Sequence, residues 1–202
     1  MKWLLPVAIL ATALMPAVAG AECSITGEIT AAPNDGDPSM GAWCYTLTVN
    51  WDTGDQYALS HLDLIIDTPG GTCMCSDVAA ALNFPAVAGS SDGYPGGCTV
   101  DYEAFLECDG DPSIPGDEGI LIKWEPLEMA DGCEPGPTGT GTFTFCSDLG
   151  PVPVDESLPL LIEKNAGEFC EGGITGVFPG LACDPVAAEA ATWTDVKGLY
   201  DR

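Results

Sequence analysis

The sequence predicts an all-β protein, an antiparallel β-sandwich with one or two short helices and several disulfides. Three observations predict it. Apolar and polar residues alternate with a period of two in several segments, which is the pattern of a strand with one buried and one wet face. Five Pro-Gly pairs punctuate those segments, at 69–70, 95–96, 115–116, 135–136 and 179–180. Proline presets φ and glycine takes a positive φ, so each pair is expected to form a type II turn. Finally, the 202 residues contain ten cysteines.

In chain order, Ile25 to Ala31 is a weak first strand. Trp43, Tyr45, Leu47, Val49 and Trp51 alternate with Cys44, Thr46, Thr48 and Asn50 in a clear second one. Asp52-Thr53-Gly54-Asp55 is a turn cluster. Tyr57 to Asp67 resumes with Leu62, Leu64 and Ile66 on one face and His61, Asp63, Ile65 and Asp67 on the other. These two strands read as a hairpin with a short loop. Ser76 or Asp77 caps a short helix through Leu82, which ends before Pro85. Cys98, Val100, Tyr102, Ala104, Leu106 and Cys108 form the cleanest stripe, with both cysteines on its core side. Gly119 to Leu127, Thr140 to Cys146, Leu158 to Lys164 and Gly173 to Phe178 complete the strands. Asp184-Pro185 has the form of a helix start, with Val186 to Lys197 to follow.

Residues 1–21 predict a secretory signal. Lys2 is followed by an apolar run from Trp3 to Met15, and Ala17-Val18-Ala19 supplies a small-x-small cleavage pattern. The run is shorter than the ~20 residues of a membrane span. Residues 22–184 are then one stapled β domain and residues 185–202 a C-terminal helix or tail. Cys23, Cys44, Cys73, Cys75, Cys98, Cys108, Cys133, Cys146, Cys170 and Cys183 all follow the signal. An even count in an exported chain predicts disulfides, in an extracellular or periplasmic setting. Spacing leaves roughly 945 full pairings open. One is disfavoured: Cys73 and Cys75 are too close to close a ring on each other and belong to separate partners.

Charge narrows the partners. There are 31 acidic residues against five Lys and Arg, a net charge of −26, and loss of Lys2 with the signal takes it to −27. Nucleic acid and anionic membrane surfaces are repelled by such a chain, which leaves a protein or carbohydrate as the expected partner. No membrane span is expected after cleavage. The signal, the alternating strands and the Pro-Gly turns together resemble the small uncharacterised secreted, disulfide-bonded β-sandwich proteins of bacteria, which implies immunoglobulin-like or jelly-roll topology.

The best ligand candidate is a repeated tetrapeptide, Asp-Gly-Asp-Pro, at 35–38 and 109–112. Aspartates two apart can turn toward one cation, and calcium prefers such oxygen cages. In the second copy Asp109, Asp111, Ser113, Asp117 and Glu118 are the candidate calcium ligands. The alternative is an ordinary acidic turn. His61 and Asp63 share a strand face, where they orient one another or hold a metal; a lone histidine on a polar face is expected to be solvated. Ser60 points to the opposite face from His61, which disfavours a nucleophile–base pair. The Trp43, Tyr45 and Trp51 stripe is expected to face the core rather than stack on a sugar. The chain is therefore expected to be a secreted or cell-surface, non-enzymatic structural or adhesion protein. A calcium-dependent carbohydrate-binding module and a hydrolase with paired carboxylates are the alternatives.

Overall fold

The computed structural model describes residues 23–54, 59–67, 73–114, 119–128, 132–154, 158–165 and 168–181, with the backbone alone at 158–165 and 168. Residues 1–21 and 185–202 lie outside that set, as do Asp117, Glu118 and Cys183. The strands are β1 (Ser24–Pro33), β2 (Trp43–Asp52), β3 (His61–Asp67), β4 (Leu82–Asn83), β5 (Gly89–Tyr94) and β6 (Thr99–Glu107). They continue with β7 (Ile120–Pro126), β8 (Glu134–Pro135), β9 (Thr138–Ser147), β10 (Pro151–Pro153), β11 (Leu158–Asn165) and β12 (Glu168–Pro179). Among the described residues one α-helix, α1 (Cys75–Ala81), follows β3, and a single 3-10 turn spans Pro38–Met40.

The all-β expectation holds, but the strands belong to one curled sheet, and two stacked sheets are not seen. Their order is β4-β9-β2-β1-β12-β11-β3-β7-β6-β5-β8, with β10 on β12 and a further β5–β9 pairing. Every pairing is antiparallel except β1 with β12. Two features help the sheet curl. The register shifts between Ile65 and Asp67 and between Glu163 and Asn165, and such bulges bend and twist a strand. At the parallel pair, a Cβ on Gly172 or Gly176 would overlap the carbonyls of Ile25 and Ile29, so only glycine permits that approach.

Several strand positions follow the alternation closely. In β2, Tyr45, Leu47, Val49 and Trp51 are buried while Thr48, Asn50 and Asp52 are exposed. The aromatic stripe therefore belongs to the core. Tyr45 stacks on Phe145 with ring centroids 5.2 Å apart, and Trp51 donates a hydrogen bond from Nε1 to the Gly136 carbonyl at 3.0 Å. The expected β2–β3 hairpin is not formed. Both edges of β2 are taken, by β1 and β9, and β3 lies between β11 and β7. Alternation marks a strand and its face but not its partner. β5 is a strand that is not among those expected; Gly-Ser-Ser-Asp-Gly-Tyr has little β propensity. Its glycines let it close the sheet: a Cβ on Gly93 would run into the Cys98–Cys133 bridge, and one on Gly89 would meet the Thr142 carbonyl at 2.6 Å.

Among the described residues, four disulfides pin this sheet: Cys23–Cys170, Cys44–Cys146, Cys75–Cys108 and Cys98–Cys133. Cys73 is disulfide-bonded as well, so Cys73 and Cys75 do part to different partners. The expectation of a shared core side holds for Cys98, which packs against the main core, and fails for Cys108. Cys98 is only partly buried and Cys108 is exposed, each lying just beyond an end of β6. Helix α1 begins earlier than expected, with Met74 rather than Ser76 or Asp77 at its N-cap and the bridged Cys75 as its first residue. Nor do the three described Pro-Gly pairs form the expected turns, while Pro69-Gly70 and Pro115-Gly116 lie outside the described residues. Gly96, Gly136 and Gly180 keep negative φ, and it is Gly97 that takes φ 96°.

Candidate functional site

The outer face of β3 and β7 is where the strongest chemistry collects. In β3, residues 61 to 65 are all buried, so this strand has no wet face. Leu62 and Leu64 join the main core, while His61, Asp63 and Ile65 face the other way. That second face is covered by the segment that leaves β6. Cys108, bridged to Cys75, fixes where this segment begins. Gly110 turns it at φ 76°, and Ile114 then packs with Ile65 and Leu121 in a small separate apolar cluster. The expectation that His61 is solvated is overturned for this reason: a polar strand face is roofed by a loop far away in sequence.

Under that roof His61, Asp63, Asp111 and Lys123 converge, with Glu125 at the edge. Asp63 pairs with Lys123 across the β3–β7 register, which puts both on one face. His61 Nε2 lies 3.3 Å from Asp63 Oδ2 and 3.0 Å from Asp111 Oδ2. Lys123 Nζ reaches Asp111 Oδ2 at 2.8 Å and Glu125 Oε1 at 2.9 Å. His61, Asp63 and Asp111 are 4, 0 and 1% exposed, whereas the Glu125 side chain is half exposed. The other Asp111 oxygen, Oδ1, accepts from the Ser113 backbone N–H at 2.7 Å and from Ser113 Oγ at 2.6 Å.

Burial and neighbours set the protonation of these groups. Burial pushes the Asp63 carboxyl up to about 6, against the pull of His61. Burial also works to raise Asp111, but hydrogen bonds from Lys123 and Ser113 outweigh it and hold that carboxyl at about 2. At His61 burial favours the neutral ring, yet the Asp63 carboxylate, helped by Asp111, carries its pKa above the ordinary value. Burial works to lower Lys123, but Asp111 and Glu125 outweigh it and raise its pKa.

The candidate calcium ligands are thus divided. Asp111 and Ser113 are together, but Asp111 turns inward to His61 rather than along its own loop. Asp109 is exposed and is not among the residues that converge. Asp117 and Glu118 lie outside the described residues. Among the described residues, His61, Asp63 and Asp111 are the group whose ligand atoms all fall within 4.8 Å of one another. Sequence reading paired His61 with Asp63 but missed Asp111, Lys123 and Glu125 as their neighbours. One signal was available: Lys123 is among only five basic residues in the chain and sits alone in an apolar strand.

No protein-family model, curated protein or solved structure matches this chain.

Proposed function

We propose that this protein is an exported structural or adhesive module without catalysis of its own. The observation that carries the reading is the closure of the cluster around His61. The chain's one imidazole is 4% exposed and faces its own carboxylates, so a substrate has no access to it in this fold. The disulfides support the extracellular setting, because such bridges persist in oxidising compartments. Among the described residues no helix is long and apolar enough to cross a membrane. Calcium binding at the second acidic loop is less favoured, since Asp109 is exposed and stands apart from Asp111, which faces His61 instead. A hydrolase with paired acids would be sought at the hollow of about 400 Å³ bordered by Leu59, Pro126, Leu127, Glu128 and Glu134.

Deleting the coding sequence in the producing cells tests the reading. The structural role predicts altered surface cohesion or attachment, with a thiol-free mature chain recovered from the medium or the cell surface. Unchanged surface properties together with loss of an extracellular hydrolytic activity that Glu128→Gln or Glu134→Gln also removes would transfer the protein to the enzymes. A reduced, full-length chain retained in the cytosol would overturn export.

A further inference from the structure

We propose that His61, Asp63 and Asp111 form an internal binding site for one divalent transition-metal ion of the zinc type. The inference does not depend on the structural role proposed above.

Geometry is the first argument. Donor atoms held ~2.0–2.2 Å from a common ion lie ~3.0–3.5 Å apart. The separations from His61 Nε2 to the two carboxylate oxygens, 3.0 and 3.3 Å, are edges of such a polyhedron. Each of the three residues offers one ligand atom to the same small volume. The second argument is an orphaned acceptor. Asp63 is 0% exposed; no partner meets its Oδ1 among the described residues, and Oδ2 has only the His61 ring 3.3 Å away. Buried carboxylate oxygens need a donor or a cation, because desolvation is otherwise uncompensated. Charge is the third. Two buried carboxylates, Asp63 and Asp111, lie on this face with one ammonium, Lys123, which reaches Asp111 and Glu125. A divalent ion bound here places positive charge directly beside both carboxylates.

The donor set selects the metal. Calcium takes six to eight oxygens and has no use for an imidazole. One imidazole nitrogen with two carboxylate oxygens suits a four-coordinate ion whose remaining position is filled by water. Lys123 and Ser113 then act from outside, orienting the Asp111 carboxylate toward the ion as partners of metal-bound carboxylates do.

The single histidine allows the test to be run on the unmodified protein. The untagged, oxidised chain is stripped with chelator and titrated with zinc at micromolar concentration in 0.15 M salt, while the imidazole NMR signals are followed. The site predicts one ion per chain, a stoichiometric change of the His61 ring signals, and a visible spectrum when cobalt replaces zinc. Asp63→Asn and His61→Gln should lose the ion, and Asp37→Asn should keep it. Ring signals that stay put while zinc binds would assign the ion to the acidic surface and overturn the proposal. So would an absence of binding, with the His61 ring merely carrying a proton. If a variant fails to fold, the wild-type ring signals and stoichiometry still decide.

Discussion

The two Asp-Gly-Asp-Pro segments begin as the same piece of structure and end as different ones. In both, the third residue accepts hydrogen bonds from the serine two positions on. Asp37 Oδ1 takes the Ser39 backbone N–H at 2.9 Å and its hydroxyl at 2.7 Å; Asp111 Oδ1 takes those of Ser113 at 2.7 and 2.6 Å. In both, the carbonyl of that aspartate accepts the backbone N–H three residues on, at 3.0 Å, from Met40 in one copy and Ile114 in the other. Local sequence sets this turn. What differs is beneath it. Asp37 stands in solvent at the cap of a single 3-10 turn. Asp111 is buried, because Ile114 seats its loop on Ile65 and Leu121 and the free oxygen meets His61 and Lys123. A turn becomes a site only where the sheet has placed partners under it.

The largest effect should separate the two aspartates. Asp111→Ala leaves His61 and the largely buried Lys123 without their shared partner and is expected to cost ~3–5 kcal/mol, the range for breaking a buried charge pair. Asp37→Ala should move the urea midpoint far less. Equal shifts would break the comparison. The apolar residue after each turn comes next. Ile114→Ala empties a small packed cluster and is expected to cost about 2–3 kcal/mol; Met40→Ala, at a partly buried position, should cost less. Both are read by the same denaturation midpoints.

These contrasts also mark what the sequence could and could not reveal. The strand positions of Trp43 to Trp51 and of Val100 to Leu106 were legible, since each alternating side chain meets a local choice between core and water. The identical turns at Asp37 and Asp111 were equally local. Pairing was not legible: β2 and β3 are neighbours in sequence yet lie apart in the sheet, and the glycine- and serine-rich β5 pairs because its missing side chains permit close approach. The site suffered from the same limit. His61 and Asp63 were placed on one face correctly, but burial of that face depends on Asp111 and Ile114, some fifty residues on, with the Cys75–Cys108 bridge fixing where their loop starts.

Smaller effects sharpen the comparison. Ser113→Ala removes the hydroxyl bond to Asp111 and is expected to cost about 1 kcal/mol, while Ser39→Ala should be close to silent in stability. Ser39→Ala should instead be visible in titration. The two Ser39 hydrogen bonds lower the Asp37 pKa below 3.8, so the folded state prefers the carboxylate. That small preference is present above pH 3.8 and fades as the pH falls through the lowered value. Removing the hydroxyl should move the Asp37 carboxyl signal, followed by carbon NMR against pH, back toward 3.8. An unchanged titration would assign the shift to another cause.

Anomalous diffraction at the zinc edge, from crystals of the oxidised chain grown with one equivalent of zinc, tests the central claim most directly. The account predicts one strong peak bounded by His61 Nε2, Asp63 and Asp111, and none at Asp35 or Asp37. Peaks of equal strength at both Asp-Gly-Asp-Pro turns, or none beside His61, would contradict it.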